Sequence, residues 1–108
     1  MPLFRTKKQF FKWIKSGLKT IEIRKGKAWK GNEAVFQSGP YILRLQIIKK
    51  EEGKLAEILR PNNYKAVIPT ANSIEEAMEH FKKLYGTTEG IFTAYYLETH
   101  KCKTASNF

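Results

Sequence analysis

The chain has 108 residues, of which 42% are hydrophobic and 13% aromatic, and its 20 Lys plus Arg against 10 acidic side chains give a formal net charge of +10 at pH 7. That length suits a single domain over 1–108, with a core at about 3–98 and a polar tail at 99–108, and the apolar content excludes a disordered basic tail. One cysteine excludes an internal disulfide and a cysteine-rich zinc module, and the absence of aspartate excludes an Asp nucleophile, an Asp–His–Ser triad and an Asp-rich magnesium site.

Thr6-Lys7-Lys8-Gln9 has the form of a capping box, a hydroxyl at the cap with Gln three residues on. Phe10, Phe11, Trp13 and Ile14 follow, and Gly17 is a natural left-handed stop. The spacing predicts a helix over 6–16 with Phe10, Phe11 and Ile14 inward and Lys7, Lys8, Lys12 and Lys15 in solvent. Residues 18–24 alternate with period two and predict a strand. Ile21 and Ile23 point to the core there, and Thr20, Glu22 and Arg24 share the other face. Residues 25–32 form a lysine-rich loop around Trp29. A short strand at 33–37, a turn at 38–40 and a long strand at 41–50 come next. The apolar density of Ile42, Leu43, Leu45, Ile47 and Ile48 predicts burial on more than one side, as in a small closed barrel. Residues 51–54 read as a turn, 55–59 as a short helix, 60–64 as irregular and 66–69 as extended. Ser73-Ile74-Glu75-Glu76 is a second capping box, opening a helix that Gly86 stops. Residues 91–98 form the last strand. The fold class is α+β: a mostly antiparallel barrel with an N-terminal and a late helix packed against it.

The charge is lopsided. Thirteen cations and two glutamates give residues 1–50 a net +11, whereas residues 51–108 hold seven cations and eight glutamates. A basic surface interleaved with aromatics attracts phosphates and offers rings for base stacking, the footprint of a nucleic-acid binder. Lys8 and Lys12 of the first helix and Lys27 and Lys30 beside Trp29 are the expected phosphate contacts. Trp29 is the expected stacking residue, or else a lid over one barrel end. The preferred partner is single-stranded RNA or other nucleic acid. No apolar run reaches the ~20 residues of a membrane span, and the N-terminal residues lack a secretory pattern, so no membrane partner and a cytoplasmic location are expected.

His80, His100 and Cys102 are the only imidazoles and thiol. Their spacing is poor for a metal, and solvated side chains are the plainer reading, so no metal and no cofactor are expected. No glycine pattern of a phosphate loop is present. What stands out is Gly17-Leu18-Lys19-Thr20-Ile21-Glu22-Ile23-Arg24. Glu22 and Arg24, two apart on one strand face, make either a plain surface ion pair or part of a polar pocket with Lys19 and Thr20. In the pocket reading Arg24 or Lys19 holds a phosphate or base carbonyl, and Glu22 accepts from an exocyclic amine.

The segment resembles the signature of the ASCH (activating signal cointegrator homology) domain family, Gly-x-Lys-Thr-x-Glu-x-Arg after an N-terminal helix, here Gly17, Lys19, Thr20, Glu22 and Arg24. The Gly-Asp turn that usually follows is Gly31-Asn32 here. The resemblance covers roughly residues 3–98 and implies a PUA-like β-barrel that binds RNA in a cleft lined by Lys19, Glu22 and Arg24. It also implies an alternative, a small hydrolase: an amidohydrolase of an acylated nucleoside such as N4-acetylcytidine, or a ribonuclease, with Lys19 as nucleophile or base and Glu22 as proton carrier. In that branch Lys19 matches the catalytic Lys, but Glu22 stands in the place of its Thr, and the place of its Glu falls near Thr70. A protein-interaction module is a third reading, if the strands at 41–48 and 92–97 leave an apolar face open. A closed pair of Lys19 with a carboxylate favours the enzyme; an open groove favours the binder and is the expected case.

Overall fold

A computed structural model describes residues 3–98 of the chain. In chain order the elements are β1 (Leu3–Arg5), α1 (Lys8–Ser16), β2 (Ile21–Lys25), β3 (Glu33–Ser38), β4 (Tyr41–Lys54), α2 (Leu55–Ile58), α3 (Tyr64–Val67), α4 (Ile74–Tyr85) and β5 (Ile91–Leu97). The strands form one sheet in the order β1-β3-β4-β5-β2. The β1–β3 pairing is parallel and the other three are antiparallel. The α+β class and the mostly antiparallel half-barrel agree with the sequence.

Period-two alternation gives the sheet two apolar faces. On β5, Phe92 and Ala94 join Ile21, Ile23, Ile58 and Phe81 in one cluster, under the helices α2 to α4. Tyr95 and Leu97 join Phe4, Phe11, Phe36 and Leu45 in the other. Glu22 sits opposite Tyr95 and Arg24 opposite Thr93. The β2 side chains that alternate with Ile21 and Ile23 therefore enter the second face, beside Phe4, rather than solvent.

Helix boundaries follow their punctuation where glycine and serine set them. Gly17 (φ 85°) and Gly86 (φ 78°) cap α1 and α4 in the left-handed region, and the Ser73 hydroxyl accepts from Glu76 N at 3.1 Å. The first capping box fails. The chain before α1 forms β1, and Thr6 N donates to Gln37 O, so the backbone stays extended through the N-cap residue Lys7. Lys7 caps with no side-chain hydrogen bond, and α1 begins at Lys8. Its buried side chains are Phe11, Trp13 and Ile14, so the inward stripe is rotated away from Phe10.

Three further expectations are corrected. Residues 51–54 do not turn: β4 runs through Lys54, pairing Glu51–Lys54 with Ile91–Ala94 after a bulge between Ile47 and Lys49. Glycine suits position 53 because Glu57 Oε1 of α2 lies 3.0 Å from where a Cβ would stand. The piece expected to be extended over 66–69 instead begins inside a turn of helix, Tyr64–Val67. The Asn63 side chain accepts from Arg60 N and donates to Ile58 O, which winds the chain at that point. On β4 only alternate residues are buried, Leu45 and Ile47, while Tyr41, Ile42 and Ile48 are exposed. The strand is covered on one face, not on both.

Phe4 shows how far β1 matters. It is fully buried and stacks with Phe36, meets Tyr95 edge-on and carries the Trp29 ring. Phe4→Ala should lower unfolding free energy by about 3–5 kcal/mol through lost transfer and an unfilled cavity, measured by urea denaturation.

Candidate functional site

β1 and β2 are the two edges of the sheet and are not paired with each other. One side chain spans the gap: Arg24 Nη2 donates to Arg5 O at 3.1 Å. Its guanidinium carbon lies 4.8 Å from the Phe4 ring centroid, in cation–π range. A cavity of about 270 Å³ opens at this seam. Arg5, Thr6 and Lys7 form one wall, Lys19, Glu22, Ile23 and Arg24 another, and Phe10 with His80, Phe81, Leu84 and Tyr85 of α4 a third. The volume lies near the lower end of the ~300–1,000 Å³ typical of small-ligand sites.

Three charges meet in the second wall. Lys19 leaves α1 just after the Gly17 cap and is only 4% exposed. Its ammonium donates to Ile21 O at 2.8 Å and Val67 O at 2.6 Å, and lies 3.3 Å from Glu22 Oε1. Glu22 is 6% exposed, and its other oxygen accepts from Arg24 Nε. Burial pushes the Lys19 ammonium below the usual lysine range, the Glu22 carboxylate opposes that fall, and Arg24 adds to it. The expected open pair is thus closed. Strand alternation turns Glu22 inward, and the lysine follows its counter-ion. The ammonium is thus hydrogen-bonded to two carbonyls and paired with Glu22, so Lys19 holds Glu22 in place.

Sequence reasoning missed the third wall. His80, expected in solvent, is half-buried and meets Phe10 and Phe81 edge-to-face at 5.4 and 5.3 Å. Burial first, then Lys19 and Lys7, depress its pKa, with Glu22 opposing. Phe10 of α1 and Lys7 at its cap share the cavity with it; on α4 its apolar neighbours are Phe81 and Leu84. The helical spacing His80-Phe81-Leu84 is a signal in the sequence, but nothing local says that α4 borders β1. The Thr6 hydroxyl is buried without a hydrogen-bond partner among the described residues.

Of the signature residues, Lys19, Glu22 and Arg24 come together, whereas Thr20 stays out of the cavity wall, its N–H on Ala66 O and its C=O on Leu97 N. Lys8 and Lys12 are exposed on α1, and Lys27 and Lys30 lie on the loop after β2. Trp29 is 47% exposed and lies flat on Phe4, at 5.3 Å and 10° between ring planes. Its backbone N–H donates to Tyr95 Oη at 3.0 Å, and its C=O accepts from Lys50 Nζ. One face of the ring covers the barrel, as expected of a lid, and about half the side chain is open. No group of three His, Cys or Glu side chains assembles among the described residues; His100 and Cys102 lie outside them. No helix among the described residues is long and apolar enough to cross a membrane.

No protein-family model and no curated protein matches the chain. Solved structures do. A hypothetical protein, PH0355, superposes with TM-score 0.74 at 18% identity, over 89% of this chain and 95% of that one. A point mutant of ZmASCH from Zymomonas mobilis gives TM-score 0.68 at 17% identity, over 92% of this chain and 68% of that one. Another point mutant of the same protein gives 0.60 at 18%, over 92% and 69%. At this identity the likeness establishes a shared fold, and the fold is the PUA-like α+β architecture that the signature implied.

The half-buried imidazole leaves a trace in pH dependence. With its pKa below the ordinary 6.5, His80 resists in the folded state a proton that the unfolded chain takes up, so stability falls as pH drops below about 6.5. The wild-type melting temperature should therefore decline between about pH 7.5 and 5.5 more steeply than that of His80→Phe, as read by circular dichroism.

Proposed function

We propose that this chain is an ASCH-type RNA-binding domain that takes one unstacked base of a single strand into the seam cavity. The observation that carries the reading is Glu22, a carboxylate fixed between Lys19 and Arg24 in a small cavity flanked by aromatic rings on a basic protein. A carboxylate held by two cations accepts hydrogen bonds and does not donate them, so it suits an exocyclic amine. Arg5 and Lys7 at the rim attract phosphate, and Lys8 and Lys12 of α1 continue the positive surface. Trp29, with Lys27 and Lys30 on the same loop, offers a ring to a neighbouring base. The likeness of fold to ZmASCH and the signature residues support membership in that family. A cytoplasmic setting fits the single cysteine.

A salt titration with single-stranded RNA tests the electrostatic part. If about three phosphates are contacted, the log–log slope of the binding constant should be about −2. Glu22→Gln should weaken binding, and Trp29→Ala should cost about 1–3 kcal/mol of it by loss of stacking. A flat salt dependence refutes the reading.

One observation favours a second reading, a hydrolase of an acylated nucleoside or of RNA. Lys19 is desolvated beside a carboxylate, the setting in which a lysine is tuned for nucleophilic or base chemistry. Against it, the amine must first give up a hydrogen bond. Acetate release from N4-acetylcytidine by the wild type, lost in Lys19→Met while the fold persists, makes this reading the correct one. Retention of RNA binding with no acetate released by the wild type excludes the amidohydrolase form, and intact RNA after long incubation excludes the nuclease form.

A further inference from the structure

We infer that the peptide group of Ile23, on the free edge of β2, reads the hydrogen-bonding edge of the base. This rests on the base-binding reading above and adds a recognition group that no side-chain pattern discloses.

Three hydrogen bonds fix the phase of the β2 backbone. Leu97 N donates to Thr20 O, so the Thr20 carbonyl faces β5. Lys19 Nζ donates to Ile21 O, so that carbonyl faces away from β5. Gly26 N donates to Ile91 O, which returns the phase to β5 after Lys25. In an antiparallel ladder the N–H and C=O of one residue point to the same side, and the side alternates along the strand. Glu22 and Arg24 therefore carry the ladder bonds to β5, and the Ile23 N–H and C=O both face the opposite side. That side is the seam with β1, where Arg5, Thr6 and Lys7 form the facing wall of the cavity that Ile23 also borders.

Among the described residues no strand pairs with β2 on that side, so no ladder bond reaches the Ile23 groups there. Two other carbonyls at the seam are taken: Ile21 O by Lys19, Arg5 O by Arg24. Ile23 itself is 3% exposed and borders the cavity. Buried main-chain groups are almost always paired, because a donor withdrawn from water without a new acceptor forfeits its hydration. A ligand that supplies both partners removes that penalty.

The N–H and C=O of one extended residue form an adjacent donor and acceptor facing the same way. The Watson–Crick edge of a base is the complement: in cytosine, N3 accepts and the N4 amine donates. The amine has a second hydrogen, which points along the strand toward Arg24, whose Nε holds the Glu22 carboxylate. A peptide strand added to this edge is disfavoured, because Arg24 bridges to Arg5 and Lys19 covers Ile21 O, so the free edge is too short for an extended segment. The cationic rim of Arg5 and Lys7 favours a phosphorylated ligand over a neutral one.

The test is an amide-resolved NMR titration of the full chain with cytidine 5′-monophosphate, following the Ile23 amide and, as a reporter of cavity occupancy, the Arg24 Nε–H. The expected result is a downfield shift of the Ile23 amide proton that saturates together with the Arg24 signal, and slowing of Ile23 hydrogen exchange by about tenfold or more. N4,N4-dimethylcytidine 5′-monophosphate, which lacks the amine hydrogens and crowds that edge, should fail to produce the Ile23 shift. If the Arg24 signal saturates while the Ile23 amide keeps its shift and exchange rate, the inference is wrong and the cavity reading stands. If neither signal responds, and RNA does not move them either, both fall.

Discussion

The structure turns on Glu22. A carboxylate that has left water must be compensated, and here two cations from different parts of the chain supply the compensation. Each of them is also bound elsewhere. Lys19 holds the carbonyl of Val67, the last residue of α3, and so ties the connection between β4 and α4 to the start of β2. Arg24 reaches the carbonyl of Arg5 and so ties β2 to β1. The polar cluster thereby joins three segments that backbone ladders leave apart. Replacing it with apolar side chains would fill the space, but nothing would then bridge the two sheet edges or set a fixed negative charge in the cavity.

How much of this was legible follows from how local each signal is. Gly17 and Gly86 as helix stops, the Ser73 cap and the alternation around Ile21 and Ile23 are written within a few residues, and each stands in the structure. So is the grouping of Lys19, Glu22 and Arg24, because the motif lies on one short segment. The strand β1 is too short to show a period, so it was not legible. Missing it led to Thr6 as a cap, since only the bond to Gln37 keeps that backbone extended. The burial of His80 escaped for the same reason: it comes from Phe10 on α1, which is distant in sequence. The closed state of Lys19 depends on Val67 O, which comes from a single helical turn whose sequence reads as extended.

A second polar cluster has a different character. Arg60 grips Glu51 with both terminal nitrogens, Tyr96 Oη donates to Glu51 and accepts from Arg60 and Asn63, and Lys49 lies over the Tyr96 ring. The pairing with Arg60 holds the Glu51 carboxyl below the usual range. The cluster fastens the segment after α2 to β4 and β5. Its groups are occupied by one another, whereas the seam cluster lines a cavity beside the edge strand β2. That contrast separates a closed network from one that borders open space.

The contacts of Lys19 bear on the choice between binder and catalyst. Two carbonyl acceptors and a carboxylate counter-ion suit a charged lysine, even though burial alone opposes the charge. Becoming a nucleophile requires it to lose a proton and turn a lone pair toward substrate, which abandons Ile21 O, Val67 O or Glu22. Losing the bond to Val67 loosens α3, and losing the one to Glu22 leaves that carboxylate with Arg24 alone. A catalyst would have to undo the contacts that shape its own pocket in every cycle. A binder leaves them intact and uses what they already fix: a carboxylate held by two cations, a guanidinium bound through Nε and Nη2, and the edge of the sheet at β2.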